Sequence, residues 1–136
     1  MRDGIYEIFQ HSSDRPSLWE DRQHAAMRWC FGGLGWQEKR LACARHIVSR
    51  GGVEKRALLE EIGRWSHSEQ ILVKVGLDLF DPGCVEQCGH GAATFGEAAA
   101  CLDHGNMRRV LEGLAIARGE TTIESLLRGR EAGGGQ

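Results

Sequence analysis

The sequence predicts an all-α fold, a compact single-domain bundle of six or seven short helices, and three observations carry that expectation. Four segments of the form Ser/Thr-x-x-Glu each stand in front of an amphipathic or apolar run. In such a capping box the hydroxyl accepts from a first-turn N–H and the carboxylate reaches back to the cap N–H. Glycines, or a Pro-Gly pair, close most of these runs, as expected where a helix ends in left-handed geometry. Between the starts and stops, apolar residues recur at the spacing of one helical face.

Taken in order, the first helix is expected over 17–31, opened by Ser17-Leu-Trp-Glu20, with Leu18, Ala25 and Trp29 on one stripe and Gly32-Gly33 behind it. The second, 36–50, presents Leu41, Ala44, Ile47 and Val48 and stops at Gly51-Gly52, and the third, 53–64, presents Leu58, Leu59 and Ile62, with Trp65 beyond. The fourth, 67–80, begins at Ser66-His-Ser-Glu69 and differs from the others. Ile71, Leu72, Val73, Val75, Leu77, Leu79 and Phe80 make it apolar nearly all round, as a central helix would be. The fifth, 94–104, opens at Thr94-Phe-Gly-Glu97 and ends at Gly105. The sixth, 106–118, carries Met107, Val110, Leu111 and Leu114 and is expected to lie against the fourth. The last, 121–129, opens at Thr121-Thr-Ile-Glu124. The organisation expected is an N-terminal arm over 1–16, a helical domain over 17–130 and a disordered tail over 131–136.

A chain of 136 residues, 41% hydrophobic and 26% charged, has the size and composition of one globular domain. A formal net charge of -2 provides no long-range attraction for nucleic acid or an anionic membrane, so any basic face must be local. No apolar run approaches the ~20 residues that cross a bilayer, and Met1-Arg2-Asp3-Gly4-Ile5 lacks the apolar core of a secretory signal. A cytoplasmic location without membrane partners is expected. The five cysteines are an odd number, which fits reduced thiols or metal-bound thiolates better than a disulfide framework.

The densest set of metal-ligand side chains is Cys84, Cys88, His90, Cys101 and His104. The first three fall in the expected loop 81–93, and Cys101 and His104, three apart on the expected fifth helix, share one face. Together they form a candidate structural zinc site. The competing expectation is plainer, since free cysteine packs as a small apolar residue and Cys101 extends the Ala98, Leu102 stripe. Cys84 and Cys88 also lack the Cys-x-x-Cys spacing and the strand-to-helix setting of a redox pair.

Arg108, Arg109, Arg118, Arg128 and Arg130 form a candidate basic patch for nucleic acid, but Glu112, Glu120, Glu124 and Glu131 interleave them, so a solvated face is the leading expectation. Helices three and four resemble a helix-turn-helix with Lys55, Arg56 and Arg64 near the turn, yet the second of them is too apolar to read base edges. His11, His24, His46 and His67 are scattered and are expected at surfaces or caps. Metalloprotease, P-loop, nucleophile-elbow and dinucleotide-binding motifs are missing from the sequence, and Glu60, Glu61 and Asp103 form no assignable acid–base pair, so no enzymatic role is expected. Trp29, Trp36 and Trp65 are expected in the core, and Trp19 either at its edge or as an exposed anchor. The expected function is an interaction or accessory module that self-associates as a homo-oligomer or binds a protein partner. Its alternatives are a structural-zinc protein and a helical nucleic-acid binder.

Overall fold

The computed structural model describes residues 19–48 and 52–132. The N-terminal arm, the Ser17 cap and the glycine-rich end of the tail lie outside the described residues. Among the described residues the chain is all-α, with eight helices and one isolated antiparallel bridge, Ile47 to Val53. The helices are α1 (Trp19–Phe31), α2 (Gln37–Arg45), α3 (Lys55–Glu61), α4 (His67–Phe80), α5 (Cys84–Gln87), α6 (Phe95–Cys101), α7 (His104–Ala117) and α8 (Ile123–Ala132). A single 3-10 turn, Ile62–Arg64, continues α3.

The frame is a three-helix core in which α1 packs on both α4 and α7, and those two also touch each other. Two glycines permit the close approach. A Cβ on Gly76 of α4 would stand 3.0 Å from Phe31 Cε1 and 3.1 Å from the Met27 carbonyl, and one on Gly113 of α7 would stand 3.0 Å from Cys30 Sγ. Cys30 is therefore seated between two helix surfaces that carry no side chain at the crossing. Helix α4 also meets α5, α6 and the 3-10 turn. The expected hub at 67–80 thus has many neighbours, but the deepest enclosure belongs to α1, where every residue from His24 to Phe31 is buried.

That enclosure includes charge. Arg28 is fully buried, and its Nε donates to His24 Nδ1 at 2.8 Å, one helical turn away. The His24 ring meets Phe80 edge-on with centroids 5.8 Å apart. His24 therefore sits in the core instead of at the surface, and the i, i+4 geometry of the helix lets its Nδ1 accept one of the hydrogen bonds that a buried guanidinium needs.

Local chemistry explains where the expected boundaries move. Ser66 and Thr94 form complete capping boxes with Glu69 and Glu97. At the last helix the cap is Thr122, whose hydroxyl accepts from the Ser125 N–H at 3.1 Å, one residue later than the expected box at Thr121. Helix α2 ends at Arg45, five residues early, and β-branched Ile47 forms an antiparallel bridge with Val53 instead. Glu54 N–H donates to the His46 carbonyl, and Val48 N–H to the Gly52 carbonyl, both at 2.8 Å. Leu41 and Val48 are consequently exposed, while Ala42, Cys43, Ala44 and Ile47 are buried. The expected loop 81–93 contains the short helix α5, closed by Gly89 at φ 85. Residues 94–104 are not one helix: Leu102 is extended and Asp103 caps α7, accepting from the Asn106 N–H at 2.7 Å.

The α4 cap is further tied down by Lys39, whose Nζ reaches Glu69 Oε1 and Oε2 at 2.7 and 2.8 Å. Partial burial pushes the Glu69 carboxyl up, but hydrogen bonds from Lys39 and Ser66, with the lysine charge, outweigh it and hold the group below the usual carboxylate range. A depressed folded pKa means stability that is present above the unfolded value, about 4.3, and is lost as pH falls through the folded value. Glu69→Gln is therefore expected to be less stable than the parent at pH 7 and to lose less melting temperature between pH 7 and pH 3. Calorimetry at the two pH values checks this, and equal acid losses in the two proteins would contradict it.

Candidate functional site

The five candidate zinc ligands are spread over α5 and its end (Cys84, Cys88), the loop that follows (His90, partly buried), the end of α6 (Cys101) and the start of α7 (His104). Cys84 opens α5, is buried, and donates its thiol to the Leu77 carbonyl at 3.4 Å. Burial, with the neighbouring Asp78 charge and against the Lys55 charge, pushes that thiol up to about 12. Cys88 is half-buried at the end of α5 and Cys101 is exposed at the end of α6. His104 begins α7, beyond the break at Leu102-Asp103, so Cys101 and His104 do not share a helix face as expected. Among the described residues, no three His, Cys, Asp or Glu side chains are grouped to hold a metal. The junction itself is tied by direct contacts: Lys55 Nζ pairs with Asp81, Arg56 Nη1 donates to the Cys88 carbonyl at 3.3 Å, and Val85 N–H donates to Asp78 at 3.4 Å.

These settings predict an order of thiol reactivity, because the thiolate is the attacking form and needs access. Burial raises Cys30 to about 12 against the lowering charge of Arg109, and burial together with Glu61 raises Cys43 still further. Under native conditions at pH 8, iodoacetamide is expected to modify Cys101 first and Cys88 more slowly, with Cys30, Cys43 and Cys84 reacting only on unfolding. Peptide mass mapping reads the order, and Cys84 reacting as fast as Cys101 would contradict it.

The basic residues converge more than the sequence led one to expect. A cavity of about 310 Å³ opens where the end of α1 meets the start of α7 and the end of α8. Gly32 and Gly33 form one wall, the first-turn residues His104, Gly105 and Asn106 another, and Arg108, Arg109 and Arg130 complete the lining. Gly33 sits close under this wall: a Cβ there would lie 2.7 Å from Arg109 Cδ and 3.0 Å from Asn106 Oδ1, so a side chain would displace both. The lining holds no aliphatic side chain.

Trp29 organises this cluster from beneath. It is fully buried, and its indole N–H donates to Glu112 Oε1 at 3.0 Å. The Arg109 guanidinium lies 4.3 Å and that of Arg130 5.3 Å from the indole ring centroid, within cation–π range. Arg109 Nη1 also donates to the Trp29 carbonyl at 3.0 Å, which fixes its fork. Arg130 Nη2 meets Glu112 Oε1 at 3.0 Å and Arg108 Nε lies 3.4 Å from Glu112 Oε2, so the two arginines share one carboxylate.

The approach of Arg130 follows from chain reversal at Gly119. There φ is 80, Gly119 N–H donates to the Ile116 carbonyl and Glu120 N–H to the Ala115 carbonyl, a Schellman turn that redirects the chain into α8, which carries Arg130 to Glu112. Arg118 is engaged at the turn by Glu120 at 2.6 Å, and Arg128 is exposed outside the cavity lining. Of the five candidate arginines, three therefore meet and two do not.

Elsewhere, Glu60 and Glu61 line a second cavity of about 550 Å³ with Ala57, Arg64 and Trp65. Glu61 is committed to His46 Nε2 at 2.7 Å and lies 3.6 Å from Arg45. Asp103, the third carboxylate weighed from the sequence, is the α7 cap. Trp36 stands 64% exposed beside Gly35, contrary to its expected core position, while Trp65 packs partly buried against the core. Phe95 and Leu111 are also exposed. No helix among the described residues is long and apolar enough to cross a membrane. No protein-family model, curated protein or solved structure matches the chain.

Proposed function

We propose that this chain is a non-enzymatic accessory binding module of the cytoplasm whose recognition site is the Arg108, Arg109 and Arg130 cavity, and that its ligand is an oxyanion of the phosphate class. The carrying observation is the convergence of three arginine side chains from two helices in the lining of one cavity. Guanidinium forks match the oxygens of phosphate, and charge-assisted bonds of this kind are about twice as strong as neutral ones. The first turn of the fourteen-residue helix α7 adds the favourable end of a helix dipole. All three arginines were already members of the basic patch expected from the sequence, so this reading joins the interaction-module expectation to the nucleic-acid alternative through their shared chemistry. Its cytoplasmic setting is supported by five cysteines that are all free thiols.

Isothermal titration with inorganic phosphate tests the reading. Saturable binding is expected, weakening as ionic strength rises. Arg108→Ala and Arg130→Ala, each removing a partly exposed side chain, are expected to cost roughly tenfold apiece, as the loss of one charge-assisted hydrogen bond implies. No saturable heat at millimolar phosphate, or equal binding by the double variant, would refute it.

A further inference from the structure

We infer that Glu112 is an internal competitor for the cavity's arginines, and that it makes the site selective for terminal phosphomonoesters over singly charged phosphodiesters and carboxylates. This rests on the proposed oxyanion reading and adds to it the class of ligand. The Glu112 side chain is only 14% exposed; its Oε1 accepts from Trp29 Nε1 and Arg130 Nη2, and its Oε2 forms an ion pair with Arg108 Nε 3.4 Å away. Its hydrogen bond to the buried indole anchors the carboxylate below the cavity. By contrast, Arg108 and Arg130 are 67% and 43% exposed, so their forks can turn towards a ligand while Glu112 stays behind.

Binding is then an exchange. A ligand that recruits Arg108 and Arg130 takes them from Glu112, leaving a mostly buried carboxylate with Trp29 as its remaining partner of the three. An acetate or a phosphodiester brings one negative charge and replaces one carboxylate by another anion of equal charge, so the exchange yields little. A phosphomonoester brings a charge near −2 and three acceptor oxygens, more than the carboxylate it displaces. Arg109, held by the Trp29 carbonyl and ring, adds a fixed positive charge at the cavity wall, which favours the more highly charged anion.

The same geometry weighs against a nucleic-acid strand as the occupant. Its backbone is a chain of monoanionic diesters, and the described cavity lining carries no Phe, Tyr or Trp on which bases could stack.

The experiment compares phenyl phosphate, dimethyl phosphate, acetate and a single-stranded oligonucleotide without terminal phosphates, using the full chain and its Glu112→Gln variant. Glutamine keeps an oxygen for the Trp29 N–H and removes the competing charge. The parent is expected to bind phenyl phosphate at least about tenfold more tightly than dimethyl phosphate. In Glu112→Gln the diester and acetate are expected to gain, narrowing that ratio to about two- or threefold. An unchanged ratio in the variant, or equal affinities for monoester and diester in the parent, would overturn the inference while leaving the cavity a general anion site. Oligonucleotide binding as tight as that of phenyl phosphate would overturn it in favour of nucleic acid. If neither protein binds any probe, the oxyanion reading itself fails together with the inference. The parent's monoester-to-diester ratio tests the inference even if the variant does not fold.

Discussion

Trp29→Ala is expected to lower the unfolding free energy by about 3–5 kcal/mol, the range for removing a large aromatic side chain from a closed core. The indole is fully buried among Ala25, Ala26, Ile116 and Ile123, the smaller of two apolar clusters and the one that joins α1, α7 and α8. Its removal leaves a cavity that the short helices α7 and α8 can only partly close. It also takes the Trp29 N–H from Glu112 and the stacking surface from Arg109 and Arg130, so loss of phosphate binding should accompany loss of stability. Trp29→Phe keeps most of the apolar bulk and should cost less, about 1–3 kcal/mol, chiefly through the unmade hydrogen bond to a nearly buried carboxylate. Urea unfolding distinguishes the two. A cost below about 1 kcal/mol for Trp29→Ala would show that the cluster is not closed as described.

Gly76→Val is the second large effect, with an expected loss of about 2–4 kcal/mol from overpacking at the α1–α4 crossing. An alanine at a helix-interior glycine ordinarily gains about 1 kcal/mol of helix propensity. At Gly76 that gain is opposed by a Cβ 3.1 Å from the Met27 carbonyl, a backbone atom that cannot rotate away, and 3.0 Å from Phe31. Valine adds two methyl groups to the same contact. Gly113 is more forgiving, because the nearest atom to its Cβ is the Cys30 sulfur at 3.0 Å. Gly129 in α8 has nothing within 4 Å, so Gly129→Ala should stabilise by up to about 1 kcal/mol. Denaturant midpoints should therefore rank Gly129→Ala above the parent, then Gly113→Ala, with Gly76→Val lowest. A Gly76→Val midpoint at or above that of the parent would contradict the crossing geometry.

Helix starts at Ser66 and Thr94 were readable because both halves of the capping box lie within four residues of sequence. The start at Asp103 carried an equally local signal, an aspartate able to accept from the N–H of Asn106, but the Gly105 that follows resembles a stop. The bridge between Ile47 and Val53 was hidden by Ile47 and Val48, which continue the helical spacing and yet, being β-branched, also suit an extended bridge. Burial of α1 was hidden for a different reason. His24 was expected at a surface or cap, and only the tertiary enclosure shows that it meets Arg28 inside the core.

The arginine site was partly legible. Arg108 and Arg109 are adjacent in sequence, but a helix points adjacent residues in different directions: Arg109 leans on Trp29 while Arg108 extends outward to Glu112. Arg130 joins them through the turn. The Arg130–Glu112 pair joins residues 18 apart on either side of the Gly119 turn, a contact set by the direction in which that turn sends α8. The contribution of Gly33 lay beyond the sequence, since its close approach to Arg109 depends on how α1 meets α7.

The central claim, that Arg108, Arg109 and Arg130 form one phosphate site, is tested most directly by titrating inorganic phosphate into ¹⁵N-labelled protein and following side-chain and backbone signals. The arginine Nε–H signals of these three residues, the Trp29 indole N–H, and the amides of His104 to Asn106 should move together along one saturating curve. Shifts that grow without saturation, or that gather around Lys55 and Arg56 instead, would contradict it.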